Sequence, residues 1–466
     1  MAVEWRDASK KIICEGGEVM ENNMTVGNPG RLIIKFTLPV FIGNVFQQFY
    51  NMVDAVIVGK FVGTKALAGV GATGTISFLI IGFLIGLTAG FTVLTAQKFG
   101  AGDMKAMRKT VASAAILSVI VSAVMTFVSV VFMRDLLTLM NTPADIFNYA
   151  YEYIVIICAG IFAQVLYNLL SSILRALGNS KVPLYFLILA ALLNVVLDLV
   201  FIICFQMGPA GAAYATVIAQ GISGAACLVY IWKAVPQLHL CKEDWKVERA
   251  LLRKQIQIGF PMALQYSITA IGTMMVQSAL NLLGSVAVAA FTAASKIEQI
   301  VTQAYVALGT AMATYCAQNM GAGDIRRIRS GFRSATILGS VYSVVVAVLL
   351  VAGGRYLTYL FVEAADVPQV IGRVQTYLVC VSVFFIPLTV VNLYRNGIQG
   401  MGYGLLPMTA GIAELVGRGV VAIFASYQKS YVGVCLASPM AWILAGALLL
   451  LIYFKIMKDL DQIQEA

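Results

Sequence analysis

The sequence predicts an all-α polytopic membrane protein, with twelve transmembrane helices arranged as two parallel six-helix repeats around a central cavity. Three observations support this fold class. First, 60% of the 466 residues are hydrophobic and only 12% are charged, which is too little charge to cover a soluble protein of this length. Second, long segments such as 76–94, 116–133 and 441–454 are almost free of charge. Third, the chain contains an internal repeat.

Twelve segments are long and apolar enough to cross a bilayer, which takes about 20 residues. They lie at 31–60, 66–98, 110–133, 148–176, 182–204, 210–232, 253–281, 287–317, 332–352, 370–399, 405–426 and 432–457. An even number of spans puts both termini on one side. Most lysines and arginines fall in the segments on that side, so the positive-inside rule predicts that both termini are cytoplasmic.

The internal repeat is visible in several short motifs. "AQKFGAGDMKAMRK" (96–109) matches "AQNMGAGDIRRIRS" (317–330), and "TLPVF" (37–41) matches "GFPMA" (259–263) through its proline. Because each half holds six spans, the two repeats are parallel, and such a pair of lobes is typical of alternating access. We therefore divide the chain into five parts. These are a leader (1–30), an N-lobe (31–232), a linker (233–252), a C-lobe (253–457) and a tail (458–466), with leader, linker and tail all cytoplasmic.

Polar residues inside the spans of the N-lobe are the first functional candidates, because ionisable groups at this depth are costly. The Asp54 carboxylate ends a helical face that also carries Asn44, Gln47 and Asn51. Asn194 and Asp198 stand four residues apart and share a face. The fourth span has a similar face with Gln164, Asn168, Ser171 and Arg175, and the sixth has Thr216.

If these faces converge, the N-lobe contains a small hydrated site with two carboxylates, which suits a proton carrier. The amide and hydroxyl oxygens would also suit Na⁺, a cation that prefers hard oxygen ligands. Pro39 lies upstream of Asp54 and is a candidate hinge, since it removes a backbone hydrogen bond. The alternative is a network of hydrogen bonds between helices that serves packing alone.

The C-lobe has amides where the N-lobe has acids. Polar residues of both lobes are candidates for lining a substrate cavity. They are Gln47, Asn51 and Gln164 in the N-lobe, and Gln265, Gln277, Glu298, Asn392 and Gln399 in the C-lobe. Glu298 follows Lys296 closely, which suggests a local ion pair, and Glu414 lies four residues before Arg418, a spacing that favours a helical pair. Both glutamates are left open between structure and function. This asymmetry predicts that ion coupling resides in the N-lobe.

These motifs resemble those of the MATE (multidrug and toxic compound extrusion) family, in the DinF-like bacterial branch of the MOP flippase superfamily. The resemblance covers residues 30 to 457. It is carried by Pro39 and Asp54, by both GAGD loops, by "LRALGNS" (174–180) and by "LNVVLD" (193–198). The combination, in this order and with its duplication, is specific.

The resemblance implies export of cationic or amphipathic small molecules, driven by H⁺ or Na⁺ antiport across a bacterial inner membrane. It implies a cation site at Asp54, Asn194, Asp198 and Thr216, with Asn168 in the fourth span. It also implies a monomer in the lipid bilayer with no cofactor beyond the coupling ion. We expect no nucleic-acid partner, because the net charge of +10 follows from the orientation in the membrane. A NorM-type ion site in the C-lobe is in doubt, since Gln265 lies near its acidic position.

Two alternative functions would require other residues inside the membrane. A flippase for lipid-linked precursors, from the same superfamily, would need a strongly cationic cavity, for which the candidates are Arg175, Lys296, Arg395 and Arg418. A membrane-embedded enzyme would need acids and histidines clustered at one membrane face, and the sequence has a single histidine, His239. We therefore expect a transporter and no enzyme.

Overall fold

A backbone in the hydrocarbon core finds no water, so its polar groups are satisfied within helices. The computed structural model describes residues 23–140, 142–246, 248–360 and 367–465, and these contain α-helices and short 3₁₀ and π turns but no strand. Most of the predicted leader, residues 1–22, lies outside them. The α-helices are α1 (Pro29–Phe61), α2 (Thr64–Ala72), α3 (Gly74–Gly100), α4 (Met104–Leu139), α5 (Ala144–Ala159), α6 (Ile161–Ala176), α7 (Lys181–Leu199), α8 (Gly208–Ala234), α9 (Arg249–Asn281), α10 (Ser285–Gly321), α11 (Ile325–Leu357), α12 (Val367–Ser382), α13 (Phe385–Gly400), α14 (Leu405–Gln428) and α15 (Tyr431–Glu465).

These helices confirm an all-α fold with membrane-spanning helices. In the described ranges, 8 helices are long and apolar enough to span a membrane, and up to 10 spans result when the bent pairs α5–α6 and α12–α13 each count as one. With the two long helices α9 and α10 added to these ten, the number of spans is the predicted twelve. These two helices are 33 and 37 residues long, but amides and hydroxyls lower their mean hydropathy.

Three predicted single spans are in fact two helices each. The second span breaks at Thr73, between α2 and α3. The fourth bends by 50° between α5 and α6, and the tenth bends by 51° between α12 and α13. Gly160 stands at the first of these bends, where an added Cβ would lie 2.2 Å from Val217 on α8. The glycine thus lets α8 approach closely, and it also weakens helix continuity.

The backbone reproduces the repeat found in the sequence. In each GAGD loop the second glycine is left-handed, with φ of 73° at both Gly102 and Gly323. The aspartate that follows caps the next helix: Asp103 accepts a hydrogen bond from the Ala106 backbone and Asp324 accepts one from Arg327, both at 2.9 Å. The two loops are therefore the same structural device used twice.

The described chain forms two compact units. The first contains Ile42–Ala263, and the second contains Val26–Phe41 and Leu264–Ala466. Both transitions fall just after a proline inside a long helix, Pro39 in α1 and Pro261 in α9. The predicted lobes divide the chain at the linker instead, so their boundaries remain a prediction.

Helices α3 and α9 pack backbone to backbone through small residues of the first unit. A Cβ added to Gly90 would lie 2.3 Å from the Gly259 Cα, and one added to Gly86 would lie 2.7 Å from the Met262 carbonyl oxygen. These two glycines, four residues apart in α3, therefore allow close helix packing.

The Gly90 contact predicts a stability effect. Gly90→Ala should lower the thermal midpoint of the purified protein, because its methyl group meets backbone that cannot rotate away, and such overpacking typically costs about 1–3 kcal/mol. The matched control is Gly71→Ala on α2, where an added Cβ meets nothing within 4 Å. That control should leave the midpoint unchanged or raise it slightly, by helix propensity. Equal midpoints for both variants would contradict the close contact.

Candidate functional site

Two carboxylates meet inside the first unit. Asp54 comes from α1 and is 8% exposed, and Asp198 comes from α7 and is fully buried. Their carboxyl groups lie close enough to interact electrostatically. The convergence of the first and fifth spans, which the two sequence faces predicted only conditionally, is therefore present in the fold.

Asn194 and Thr216 extend this pair. Asn194 is 2% exposed and lies one helical turn before Asp198 on α7. Its Nδ2 atom donates to the Thr216 hydroxyl on α8 over 3.3 Å. Three helices, α1, α7 and α8, thus bring together four of the five residues that the sequence proposed for the cation site.

Several oxygens at this site have no hydrogen-bond partner. They are Asp54 Oδ1, Asn194 Oδ1 and both carboxylate oxygens of Asp198. A buried acceptor without a donor loses its hydration with no compensation. A proton shared between the carboxyl groups, or a small cation bound among these oxygens, would supply what is missing, so the donor set fits either coupling ion.

The surroundings of the pair are apolar. Ile57 and Val58, on the turn of α1 that follows Asp54, belong to a buried cluster with Ala66, Ile202 and Ala212. Ile202 lies in a π-helical turn, Val200–Cys204, that begins two residues after Asp198. Such turns are rare and frequently occur at functional sites.

Two tyrosines belong to this site although the sequence analysis did not select them. Tyr50 and Tyr153 both lie close enough to Asp54 and Asp198 to interact with their charges. Tyr50 stands four residues before Asp54, so the helical spacing could have placed it on the same face. Tyr153 comes from α5, and no local pattern marks it.

No hydrogen bond joins the remaining N-terminal candidates to Asp54 or Asp198 in the described part of the chain. Asn168 donates from Nδ2 to the Gln164 backbone oxygen, one turn earlier on α6, over 2.8 Å. Gln164 is buried, Gln47 is half-buried and Asn51 is exposed. The candidate hinge Pro39 is buried inside α1. The structure assigns none of these residues to substrate binding, which stays a prediction.

The second unit holds a different buried polar network. Glu414 on α14 binds two arginines, Arg395 at 2.6 Å and Arg418 at 2.7 Å, and the second pair confirms the predicted i,i+4 contact. The Gln265 side-chain amide lies 3.0 Å from both Arg395 Nε and Arg395 Nη1. It also lies 2.7 Å from the amide of Gln399. All of these side chains are buried or half-buried.

The predicted ion pair between Lys296 and Glu298 is wrong. Glu298 instead accepts a hydrogen bond from the Tyr377 hydroxyl on α12. Residues two apart on a helix point in different directions, and Lys296 is exposed while Glu298 turns inward. The other candidates form bonds within their own helices: Gln277 donates to Asn281 over 2.8 Å, and Asn392 donates to the Leu388 backbone oxygen over 3.0 Å.

The sequence also matches a known protein family. A sequence model of the MatE family matches residues 39–200 and 258–424, which together make up most of the chain. The chain belongs to the MatE family. The matched ranges include Asp54, Asn194 and Asp198, and they begin at Pro39 and three residues before Pro261.

Two relatives and one solved structure illustrate this membership. The chain is 33% identical over 379 residues to the "probable multidrug resistance protein YpnP" of Bacillus subtilis, covering 81% of this chain and 83% of that protein. It is 25% identical to the "probable multidrug resistance protein NorM" of Thermotoga maritima, over 81% of each chain. It shares the fold of a multidrug resistance MATE family transporter of the MOP superfamily, solved in an outward-facing conformation. That match has a TM-score of 0.89, 22% identity and coverage of 95% of this chain and 99% of that one.

The Glu414 network of this MatE protein predicts a large effect of neutralisation. Glu414→Gln would leave Arg395 and Arg418 buried without a counter-charge, and breaking such a buried pair typically costs about 3–5 kcal/mol. The thermal midpoint of purified protein should fall strongly. Asp461→Asn is the control, because it removes an exposed ion pair with Arg329 and surface pairs contribute little. Comparable midpoints for the two variants would contradict a structural role of Glu414.

Proposed function

We propose that this MatE-family protein is a secondary active multidrug efflux transporter. It exports cationic or amphipathic small molecules by antiport with H⁺ or Na⁺, with alternating access. The observation that carries the proposal is the buried Asp54–Asp198 pair, in which three of the four carboxylate oxygens lack hydrogen-bond donors. A membrane helix keeps such groups at a cost, and they typically serve ion or proton pathways.

The coupling ion would act by binding one arrangement of the helices better than the other. With the ion bound, the orphan oxygens of Asp54, Asn194 and Asp198 are satisfied and the three helices stay together. Without it, the two carboxylates repel each other, and an arrangement that separates or hydrates them is favoured. A ligand can shift such an equilibrium only through its different affinity for the two states. Bending at Pro39 in α1 would allow Asp54 to move relative to α7.

The positive-inside rule and the family support a location and an orientation for this transporter. The transporter would be a monomer in the cell membrane, with both termini in the cytoplasm. Gln47, Gln164, Gln265 and Glu298 are among the candidate residues for substrate contact. The relatives' names support small molecules as the substrate class.

The buried cations argue against a precursor flippase. That function would need free positive charge for a pyrophosphate group. Arg395 and Arg418 are both bonded to Glu414, which offsets one of their two positive charges. This network therefore leaves little positive charge in the second unit for a pyrophosphate group.

The proposal predicts that efflux depends on Asp198. Proteoliposomes with the wild-type protein should expel ethidium when a pH gradient or a Na⁺ gradient is imposed separately, and the gradient that works identifies the ion. Asp198→Asn should lose gradient-driven efflux, because an amide can neither release a proton nor balance a cation. The change of the external pH or Na⁺ concentration during transport provides the second readout.

The control is Asp135→Asn, which neutralises an exposed carboxylate near the end of α4 and should keep full efflux. Ethidium transport by Asp198→Asn at the wild-type rate would show that the pair is structural. No ethidium transport by the wild type under either gradient would exclude cation efflux. A thermal midpoint near that of the wild type shows that a silent Asp198→Asn protein is folded.

A further inference from the structure

The first unit contains an apolar cavity that the proposed transport does not use. It has a volume of about 230 Å³ and lies between α4, α6, α8 and the linker. Its wall is formed almost entirely by apolar side chains, among them Val111, Leu166, Leu169 and Ile173. Apolar cavities of about 150 Å³ already take up benzene, so this one has room for part of a hydrocarbon chain.

The cavity opens on the face of the unit that contacts lipid. Three of its rim residues, Val119, Phe162 and Leu228, are about half exposed. Val119 belongs to a continuous exposed apolar face of α4. The large side chains of this face are Val119, Ile120, Val124, Phe127, Val128, Val131 and Phe132. A transmembrane helix turns such a face towards acyl chains, so the rim meets the hydrocarbon core.

The linker closes the other end of the cavity. Leu238, Leu240 and Trp245 line it, and this segment is held onto α4. Arg108 pairs with the buried Asp244 at 3.3 Å, and Asp244 also accepts a hydrogen bond from the Cys241 backbone over 2.8 Å. The wall formed by the linker is therefore a fixed part of the unit.

Positive charge and tryptophan surround this end. Between residues 232 and 246 the exposed charged side chains are Lys233, Lys242, Lys246 and Glu243. The buried Asp244 is paired with Arg108, so the exposed charge of this segment is net positive. Trp232 and Trp245 are 65% and 48% exposed, and tryptophan is enriched at the membrane–water interface. A ring nitrogen of His239 lies 2.6 Å from the Trp232 carbonyl oxygen, which ties the linker to the end of α8.

We propose that this cavity is a binding site for an anionic phospholipid of the leaflet on the linker side. One acyl chain enters between α4, α6 and α8, past Val119 and Phe162. The headgroup lies against Lys242 and Lys246, beside the Trp245 ring. Basic pockets between transmembrane helices bind acidic headgroups in this manner. The bound lipid would brace the linker that joins the two halves of the chain.

The test uses the fluorescence of Trp245 in the full-length protein. The protein is reconstituted in phosphatidylcholine vesicles that contain a minor fraction of phosphatidylglycerol, with brominated acyl chains on one of the two lipids at a time. Bromine quenches only nearby indole rings. The net positive charge predicts an enrichment of phosphatidylglycerol at Trp245 of about tenfold over its bulk fraction. The Trp245→Phe variant should lose this excess quenching.

Two pairs of variants separate the acyl-chain site from the headgroup site. Ala115→Phe fills the cavity from α4 and should abolish the excess quenching, whereas Val131→Phe on the exposed face of the same helix should preserve it. Lys242→Gln with Lys246→Gln should remove the preference for phosphatidylglycerol. The matched control, Lys455→Gln with Lys458→Gln on α15, should not.

Three results would overturn the proposal. They are equal quenching by both brominated lipids, full quenching in Ala115→Phe, and an unchanged lipid preference in the variant that lacks Lys242 and Lys246. Thermal midpoints confirm that each variant is folded. The ethidium assay need not change in any of them, so the lipid site and the proposed transport can fail separately.

Discussion

The electrostatics of Asp54 and Asp198 constrain the rest of the first unit. Two unit charges about 4 Å apart interact by about 4 kcal/mol at an effective dielectric constant of 20. For two carboxylates this interaction is repulsive, and no positive side chain bonds to either one among the described residues. The hydrophobic cluster beside Asp54 keeps the dielectric low. If both groups are ionised, the arrangement of α1, α7 and α8 holds two like charges together, and the proposed coupling ion would relieve their repulsion.

In the second unit the buried carboxylate is bonded to positive side chains of the protein itself. Glu414 receives hydrogen bonds from two arginines, and Arg395 is also held by Gln265. Both oxygens of this carboxylate have donors within the protein, and the two arginines carry one positive charge more than Glu414, so no external cation is required to keep α13 and α14 together. The two halves share loops, caps and bends, yet among the described residues only the first half has buried oxygens of two acids without donors. Duplication has preserved the fold while the chemistry of the two halves has diverged.

The sequence predicted those features that depend on local spacing. Apolar runs indicated the spans, repeated GAGD motifs indicated the duplication, and the four-residue spacing of Glu414 and Arg418 correctly indicated their pair. Contacts between distant segments carry no such signal. Tyr377 lies 79 residues from Glu298 and Arg395 lies 19 residues from Glu414, and both partners were missed. The wrong pair, Lys296 with Glu298, came from proximity along the chain without regard to the helical angle.

The breaks within spans were missed for a related reason. A glycine or a hydroxyl inside an apolar run does not by itself decide whether a helix continues. At Gly160, Val217 of α8 approaches to where a Cβ would stand. This contact comes from a helix that lies more than 50 residues away in the sequence, so no local pattern indicates it.

H⁺ and Na⁺ place different demands on the cation site. A proton shared between Asp54 and Asp198 satisfies two oxygens at once and leaves the Asn194–Thr216 hydrogen bond intact. Hard metal cations take about six or more oxygen ligands, and only Asp54 Oδ1, Asn194 Oδ1 and the two Asp198 oxygens are without partners. Na⁺ would need water or the Thr216 hydroxyl, which already accepts from Asn194. A hydroxyl oxygen has a second lone pair for a cation, so sodium binding would involve α1, α7 and α8, whereas protonation would act mainly between α1 and α7.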